Sequence, residues 1–282
     1  MRLLNLNGRT AIERDGRAID IARASAGAFP SDPDLIYADW DGLRAWEADY
    51  VSTDGEPVDP GQLGSPVTAP RQIFAVGLNY RSHAVETGMD LPNTPMIFTK
   101  FASAITGPNA TVTMPSDAVD WEAELVAVIG RRAENVAAED AWGFVAGLTA
   151  GQDLSERNLQ VSPPAPQQFS LAKSFPGFAP LGPALVTPDE FAHPDDLEIG
   201  CRVGDDVVQQ SRTGDLIFNV PALVEYLSSI LPLLPGDVIF TGTPSGIGYA
   251  RDPQRFLTHG DALTTWIEGI GSMTQHFVKS AP

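Results

Sequence analysis

The sequence predicts an α+β protein in which strands predominate. Short runs of apolar and β-branched residues recur along the chain and are separated by turn dipeptides such as Asn7-Gly8 and Asp15-Gly16. Apolar residues at helical spacing are clearest in one segment, 221–230. A chain of 282 residues, 43% of them hydrophobic, is long enough to bury a core and to support a concave site.

The first 66 residues form a small separate unit in this prediction. Its predicted elements are strands at 1–7, 10–14 and 17–21 and a helix at 43–50. A passage rich in proline and glycine follows at 54–66, and such passages are typical of domain boundaries. We therefore predict a small N-terminal α+β domain at 1–66 and a catalytic domain at 67–282.

The second domain alternates strands with few helices. Its predicted strands lie at 72–77, 96–103, 111–115, 120–130, 197–203, 207–211, 261–268 and 272–279, and its predicted helices at 80–87 and 221–230; the apolar run at 142–151 is either a strand or another buried segment. The passage Pro163-Pro164-Ala165-Pro166 contains too much proline for regular structure.

Composition and charge argue against several classes of function. The formal net charge of −18 disfavours nucleic acid and anionic membranes as partners, because both require a basic surface. We find no secretory signal and no apolar run near the roughly 20 residues that cross a bilayer. The single cysteine, Cys201, cannot form an internal disulfide, so we expect a buried thiol and a cytoplasmic protein.

Glu122 and Glu124 are the first candidates for a metal site. They lead into an apolar run at 125–129 that predicts a strand, and side chains two apart on a strand lie on one face. Two carboxylates about 7 Å apart on a face that becomes apolar are costly unless a cation or water covers them. Half of an all-oxygen site for Mg²⁺, Mn²⁺ or Ca²⁺ is one interpretation, and an exposed strand edge is the other.

His83 and Glu86 lie three apart in the predicted helix at 80–87, which Asn79 would cap and Gly88 would end. At this spacing the carboxylate reaches an imidazole nitrogen, fixes its tautomer and raises its basicity, as a general base requires. A solvated helix face is the alternative interpretation.

Asp153 could supply a third carboxylate, because it follows directly on the buried run at 142–151. If the next segment is helical, Asp153, Arg157 and Gln160 lie on one stripe, which suits a metal-bound carboxylate substrate. The alternative is a helix-capping aspartate with an ion pair. Lys173 stands among apolar residues, so it is either buried beside an anion or a surface lysine with a buried stem.

The segment 234–248 predicts a turn, a strand and a glycine-rich turn. Backbone N–H groups in that turn, together with Thr243, could hold a carboxylate, since glycine permits close backbone approach. Its spacing differs from those of phosphate-binding loops and dinucleotide fingerprints, so nucleotide binding is not indicated.

Taken in order, these motifs resemble those of the fumarylacetoacetate hydrolase family from about Ile73 to Phe277. The resemblance rests on Gly77-Leu78-Asn79-Tyr80 with His83 and Glu86, Asp120-x-Glu122-x-Glu124-Leu125, Asp153 with Arg157 and Gln160, Lys173-Ser174-Phe175 with Pro180-Leu181-Gly182-Pro183, and Leu234-Pro235-Gly236-Asp237 through Thr241-Gly242-Thr243-Pro244. Each motif is weak alone, but their order and spacing together are specific. Gln152 and Ala172 depart from the family pattern and bear on substrate choice more than on metal binding.

The resemblance implies a mixed β-sandwich roll, a homodimer and a divalent metal, Mg²⁺ or Mn²⁺ with Ca²⁺ as an alternative. The roles it implies are metal ligands at Glu122, Glu124 and Asp153, a water-activating dyad of His83 and Glu86, a polarising Lys173, and substrate contacts at Arg157, Gln160 and Thr243.

The activity it implies is hydrolysis of a carbon–carbon bond in a small anionic 2,4-dioxo acid, such as an acylpyruvate, fumarylpyruvate or a diketo-deoxy sugar acid. Two alternatives belong to the same family: decarboxylation of oxaloacetate and isomerisation of 2-hydroxyhepta-2,4-diene-1,7-dioate. A third, from another class, is a non-catalytic protein that binds a metal and a carboxylate.

Overall fold

The computed structural model describes residues 1–161 and 167–280. Strand residues outnumber helical residues in this part of the chain, so the prediction of a mainly β, α+β protein is confirmed. The predicted irregular passage Pro163-Pro164-Ala165-Pro166 lies outside the described residues.

The strands follow the turn signals of the sequence. In chain order they are β1 (Arg2–Leu6), β2 (Arg9–Arg14), β3 (Arg17–Asp20), β4 (Glu56–Pro57), β5 (Leu63–Gly64), β6 (Ile73–Gly77), β7 (Met96–Thr99), β8 (Ile105–Thr106), β9 (Thr111–Met114), β10 (Val119–Asp120), β11 (Ala123–Ile129), β12 (Val145–Gln152), β13 (Ser155–Glu156), β14 (Ala179–Val186), β15 (Glu198–Val203), β16 (Asp206–Arg212), β17 (Val238–Phe240), β18 (Ala262–Ile267) and β19 (Gly271–Lys279).

The helices are short. The α-helices are α1 (Ile21–Ala24), α2 (Trp40–Asp49), α3 (Arg81–Thr87), α4 (Arg157–Val161), α5 (Phe169–Ala172) and α6 (Val220–Ser228). The predicted helices at 43–50, 80–87 and 221–230 correspond to α2, α3 and α6. Helix α6 begins where the Asn219 side chain accepts a hydrogen bond from the Ala222 N–H at 3.1 Å, a stabilising N-cap.

Two sheets form the body of the protein. The larger one is mixed and has the order β4-β3-β2-β1-β14-β12-β11-β17-β6-β7, with β5 beside β1 and β8 beside β14. The other has five strands in the order β16-β15-β18-β19-β9. Side chains join them in the interior, where the Gln152 amide donates to Thr265 Oγ1 at 2.8 Å. The mixed β-sandwich arrangement implied by the resemblance is thus confirmed.

The N-terminal hairpins extend the large sheet. Asn7 and Gly8 both have positive φ, as do Asp15 and Gly16, which is the backbone geometry that such dipeptides favour in two-residue hairpins. Strand β1 also pairs with β14, with Arg2 opposite Val186. The two predicted domains therefore share one sheet, and the boundary at residue 66 stays a prediction.

Strand β11 is central and carries the chain into the site. It lies between β12 and β17, and all seven of its residues are buried. Both faces of the strand are covered, which explains why its sequence is an almost continuous apolar run. The single-cysteine prediction also holds, because Cys201 on β15 is fully buried as a free thiol.

Three local predictions were wrong because side chains take over backbone hydrogen bonds. The predicted strand at 120–130 is interrupted, since the N–H of Glu122 donates to Gln152 Oε1 at 2.9 Å instead of to a neighbouring strand. The predicted strand at 96–103 ends at Thr99, and the N–H of Phe101 donates to Ser174 Oγ at 3.0 Å. Asn79 does not cap α3: its side chain binds Thr241 and Phe218, and Tyr80 occupies the cap position without a side-chain hydrogen bond.

Gly151→Ala tests the close packing of β11, β12 and β17. A Cβ atom at this position would lie 2.5 Å from Val126 Cγ2 and 2.8 Å from Phe240 Cε1. We expect the free energy of unfolding to fall by about 1–3 kcal/mol, as overpacking in a core typically costs. Gly143→Ala is the control, because nothing lies within 4 Å of its Cβ position. Equal losses in the two variants, measured by denaturant unfolding, would contradict the packing argument.

Candidate active site

Antiparallel pairing of β11 and β12 brings the three predicted carboxylates together. Ala123 is opposite Gln152, and the N–H of Asp153 donates to the carbonyl of Glu122 at 2.9 Å. One oxygen from each of Glu122, Glu124 and Asp153 lies within 4.8 Å of the others, and all three residues are buried. The exposed-edge interpretation of the two glutamates is therefore wrong.

The three carboxylates differ in how well their charges are compensated. Burial alone would raise the pKa of Glu122, but the charges of Lys173 and Arg157 lower it to about 2. Burial raises the pKa of Glu124 well above its usual value, and the charges of Asp153 and Glu122 raise it further. A divalent cation among these oxygens would remove that excess of negative charge, so the donor set fits a hard metal ion.

Lys173 is buried beside two of these carboxylates. It follows the last residue of α5, and its Nζ lies 2.8 Å from Glu122 Oε2 and 2.6 Å from Asp153 Oδ2. Burial would lower its pKa, but the charges of Asp153 and Glu122 raise it. The interpretation as a surface lysine is wrong, and the side chain is a fixed positive charge in the cluster.

Lys100 is the main residue that sequence reasoning missed. Its ammonium is fully buried, lies 2.5 Å from Asp153 Oδ1 and donates to the backbone carbonyl of Lys173. Burial lowers the pKa of Lys100, and the charge of Asp153 opposes that shift. The scarcity of lysine is the sequence signal that could have identified it. The chain has only three lysines, and both Lys100 and Lys173 lie in this cluster.

Arg157 closes another side of the cluster. It begins α4, and its guanidinium lies 2.7 Å from Glu122 Oε1 and donates to Gln160 Oε1 at 2.7 Å. Asp153 precedes this helix, so the single helical stripe predicted for Asp153, Arg157 and Gln160 is wrong. The three side chains nevertheless belong to the same connected group of contacts.

Asp120 fixes the segment that carries the metal motif. It accepts hydrogen bonds from Arg157 Nε at 2.9 Å and from the N–H groups of Gly248 and Tyr249 at 2.8 and 2.9 Å. Sequence reasoning included Asp120 in a motif but gave it no role. The side chain is fully buried and ties the glycine-rich turn to the start of β11.

His83 and Glu86 form the predicted dyad on α3. The His83 Nδ1 lies 2.9 Å from Glu86 Oε2, and the other carboxylate oxygen of Glu86 accepts from the Gly246 N–H at 2.7 Å. This contact occupies Nδ1 and leaves Nε2 as the second ring nitrogen. The N–H groups of Gly246 and Gly248, two residues apart on one turn, bind Glu86 and Asp120, so the dyad is joined to the segment that leads into the metal motif.

The glycine-rich turn does hold carboxylates, but they are the protein's own. The N–H of Gly242 donates to Glu124, and the N–H of Gly246 donates to Glu86, each at 2.7 Å. The Thr243 hydroxyl donates to the carbonyl of Ala123 at 2.9 Å and accepts from Gln209 at 2.8 Å. A substrate contact at Thr243 stays a prediction.

Other candidate features lie outside this cluster. His193, His259 and His276 are exposed, as expected for histidines without a catalytic role. A cavity of about 660 Å³ lies at the N-terminal hairpins and is lined by Arg9, Asp20 and neighbouring residues, and none of the predicted site residues lines it. Among the described residues, no helix is long and apolar enough to cross a membrane.

Comparison with known proteins gives consistent results. The family model for the C-terminal domain of fumarylacetoacetate hydrolase matches residues 72–278. A mitochondrial oxaloacetate tautomerase from Xenopus laevis is 42% identical over 218 residues, which are 77% of this chain and 68% of that protein.

Two solved structures are similar over the full length of both chains. A putative HpcE protein from Mycobacterium smegmatis is 52% identical, with a TM-score of 0.95. A maleylpyruvate hydrolase from Sphingobium, solved with manganese(II) and pyruvate, is 29% identical, with a TM-score of 0.81. In this chain the buried acidic triad of Glu122, Glu124 and Asp153 is able to bind a divalent metal ion.

Glu124→Gln separates the stability of this cluster from its metal binding. In chelator we expect the variant to melt at a higher temperature than the wild type, because the amide removes the charge that burial and its neighbours disfavour. The difference should shrink as pH falls, since protonation then neutralises the same carboxyl group in the wild type. Added Mn²⁺ at about 100 times its Kd should stabilise the wild type by about 2.7 kcal/mol and the variant far less.

Glu134→Gln is the control for this measurement, because Glu134 is an exposed carboxylate paired with Arg132 at 3.0 Å. It should leave both melting temperatures unchanged. A Glu124→Gln variant that melts below the wild type in chelator would contradict the assignment of Glu124 as the uncompensated charge.

Proposed function

Because the chain belongs to the fumarylacetoacetate hydrolase family, we propose that it is a metal-dependent enzyme that transfers a proton to or from the enol form of a small 2-oxo acid. The reaction we place first is enol–keto tautomerisation of a 2-oxo dicarboxylic acid of the oxaloacetate type. One observation carries this choice: Glu86 holds His83 at 2.9 Å as a proton-transfer group, and the glycine-rich turn that binds Glu86 also binds Glu124 of the triad able to hold a divalent ion.

Tautomerisation requires that one proton leaves one substrate atom and returns to another. With Nδ1 paired to Glu86, the Nε2 atom of His83 is the ring nitrogen that can accept this proton and give it back. Glu86 would stabilise the imidazolium formed between the two transfers. The Gly246 N–H holds the same carboxylate in place, so the ring orientation is set before substrate arrives.

The enolate formed between the two proton transfers carries a negative charge that the site must stabilise. A bound divalent ion, held by Glu122, Glu124 and Asp153, would supply Lewis-acid stabilisation of the 2-oxo oxygen. Lys173 adds a fixed ammonium between two of these carboxylates, and Arg157 and Gln160 would orient the substrate's oxygens. Such preorganised charge commonly supplies several kcal/mol of transition-state stabilisation.

Hydrolysis of a carbon–carbon bond in a 2,4-dioxo acid is the second candidate. The same dyad would take a proton from water, the hydroxide would add to the 4-oxo carbon, and cleavage would leave a pyruvate enolate beside Lys173. The resemblance to a maleylpyruvate hydrolase favours this reading. Acylpyruvates, fumarylpyruvate and diketo-deoxy sugar acids are the candidate substrates.

Assembly and location also remain proposals. We propose a homodimer on the family resemblance, to be checked by light scattering. A cytoplasmic location stays a prediction, and the relative from Xenopus laevis is described as mitochondrial.

The decisive assay measures two signals for each member of one substrate panel: the ultraviolet absorbance of the enol and the release of pyruvate. Oxaloacetate, acylpyruvates, fumarylpyruvate and 2-hydroxyhepta-2,4-diene-1,7-dioate are offered with Mg²⁺ or Mn²⁺ and again with EDTA. Loss of the ultraviolet absorbance of enol-oxaloacetate without pyruvate release would support the tautomerase. Pyruvate release from the dioxo acids would favour the hydrolase, and release from oxaloacetate alone would favour decarboxylation. Metal binding without any turnover would overturn the enzymatic proposal.

His83→Ala should lower kcat by about 10²- to 10⁴-fold, the range usual for loss of a general acid–base group. Metal affinity, measured by calorimetry, should change little, because His83 is not among the proposed ligands. His276→Ala is the matched control, since His276 is exposed and pairs opposite Ala262 on the five-stranded sheet. An undiminished kcat in His83→Ala would remove the dyad from the mechanism.

A further inference from the structure

Each carboxylate of the acidic triad has one oxygen fixed by a donor of the protein. The three pairs are Lys100 Nζ with Asp153 Oδ1 at 2.5 Å, the Gly242 N–H with Glu124 Oε2 at 2.7 Å, and Arg157 Nη2 with Glu122 Oε1 at 2.7 Å. One oxygen of each carboxylate is therefore already engaged by the protein before any ion is considered.

The second oxygens of Asp153 and Glu122 meet at Lys173. Asp153 Oδ2 and Glu122 Oε2 lie 2.6 and 2.8 Å from the same atom, Lys173 Nζ. A single oxygen from each member of the triad also lies within 4.8 Å of the others. Asp153 and Glu122 therefore present their second oxygens to the same ammonium, and each member of the triad has one oxygen close enough to the others to share an ion.

The number of oxygens per carboxylate matters for ion choice. Mg²⁺ demands a near-ideal octahedron and usually takes one oxygen from each carboxylate, whereas Ca²⁺ accepts six to eight oxygens and readily takes both oxygens of one carboxylate. Donors that occupy the second oxygen of every ligand therefore disfavour Ca²⁺. Mn²⁺ also accepts an octahedral oxygen environment.

Among the three donors, Lys100 has the most specific arrangement. The Gly242 donor is backbone, and Arg157 also serves Asp120 and Gln160. Lys100 is fully buried, with its ammonium 5.8 Å from the centre of the Phe240 ring, and its described contacts are Asp153 and the carbonyl of Lys173. A buried ammonium is costly unless it is paired, so we infer that Lys100 acts through these two contacts.

We propose that Lys100 is a positioning residue that engages Oδ1 of Asp153, so that this aspartate offers an ion only its Oδ2, and thereby makes the triad select a small octahedral ion, Mg²⁺ or Mn²⁺, over Ca²⁺. Its second contact, to the backbone of Lys173, keeps that lysine's side chain against the same aspartate. The inference rests on the metal site of the proposed function and is independent of which reaction the enzyme performs.

The test measures ion affinity without substrate. The Kd values of Mg²⁺, Mn²⁺ and Ca²⁺ are determined by calorimetry on the full chain, for the wild type, Lys100→Met and Lys279→Met. The last is a matched control, because Lys279 is an exposed lysine 2.8 Å from Asp117. We expect Lys100→Met to weaken Mg²⁺ binding by about 10- to 100-fold, the usual effect of losing a residue that orients a ligand, and to weaken Ca²⁺ binding far less or to strengthen it.

The ratio of the Mg²⁺ and Ca²⁺ constants is the readout that a merely structural role would not move. Equal weakening of both ions, or no change in either, would overturn the proposal. Lys100→Gln is measured in parallel in case the Met variant does not fold, and it should shift the ratio in the same direction. Wild-type protein that binds Ca²⁺ more tightly than both Mg²⁺ and Mn²⁺ would also overturn it.

These outcomes are distinct from failure of the proposed function. A shifted ion ratio in a protein that converts no 2-oxo acid would support the role of Lys100 and overturn the proposed reaction. Wild-type protein that binds no divalent ion would overturn both.

Discussion

Burial of several carboxylates in one place is the constraint on which the rest of the site depends. Four carboxylates meet three cations there, namely Asp120, Glu122, Glu124 and Asp153 with Lys100, Arg157 and Lys173. Removing such charges from water costs more than an isolated ion pair returns, so each must have close partners. The pairing of β11 with β12 brings Glu122, Glu124 and Asp153 together, Asp120 lies on β10 opposite Ser155, and the cations come from separate segments. The remaining imbalance is one negative charge, which a divalent ion and an anionic substrate can correct together.

The proton-transfer dyad and the charge cluster are held by the same glycine-rich turn. Gly246 donates its N–H to Glu86 and accepts a hydrogen bond from Trp121 Nε1 at 3.0 Å. Two residues further on, Gly248 donates to Asp120. The orientation of the histidine therefore depends on the same turn that is anchored at the start of the metal motif. A displacement of this turn would move the proton-transfer group relative to the ion.

Short-range periodicity made part of this arrangement predictable. The Glu-x-Glu spacing predicted a shared face, and the His-x-x-Glu spacing predicted contact across one helical turn; both depend only on local geometry. Lys100 and Asp120 were missed because their partners are distant in the chain, 53 residues away for Lys100 and Asp153 and 128 for Asp120 and Gly248. Asn79 was misassigned for the same reason, since its side chain binds the distant carbonyl of Thr241 and does not cap α3. Large-scale topology, such as β1 beside β14, leaves no local trace either.

The distribution of lysines has a practical consequence for handling this protein. Of the three lysines, two have their amino groups enclosed in the charge cluster, and only Lys279, at the end of β19, presents its side chain to solvent, with 58% of it exposed. Lysine-directed reagents therefore have one accessible target, on the five-stranded sheet. A dye or a surface linker coupled there would attach the protein in a defined orientation and would leave the buried ammonium groups chemically intact.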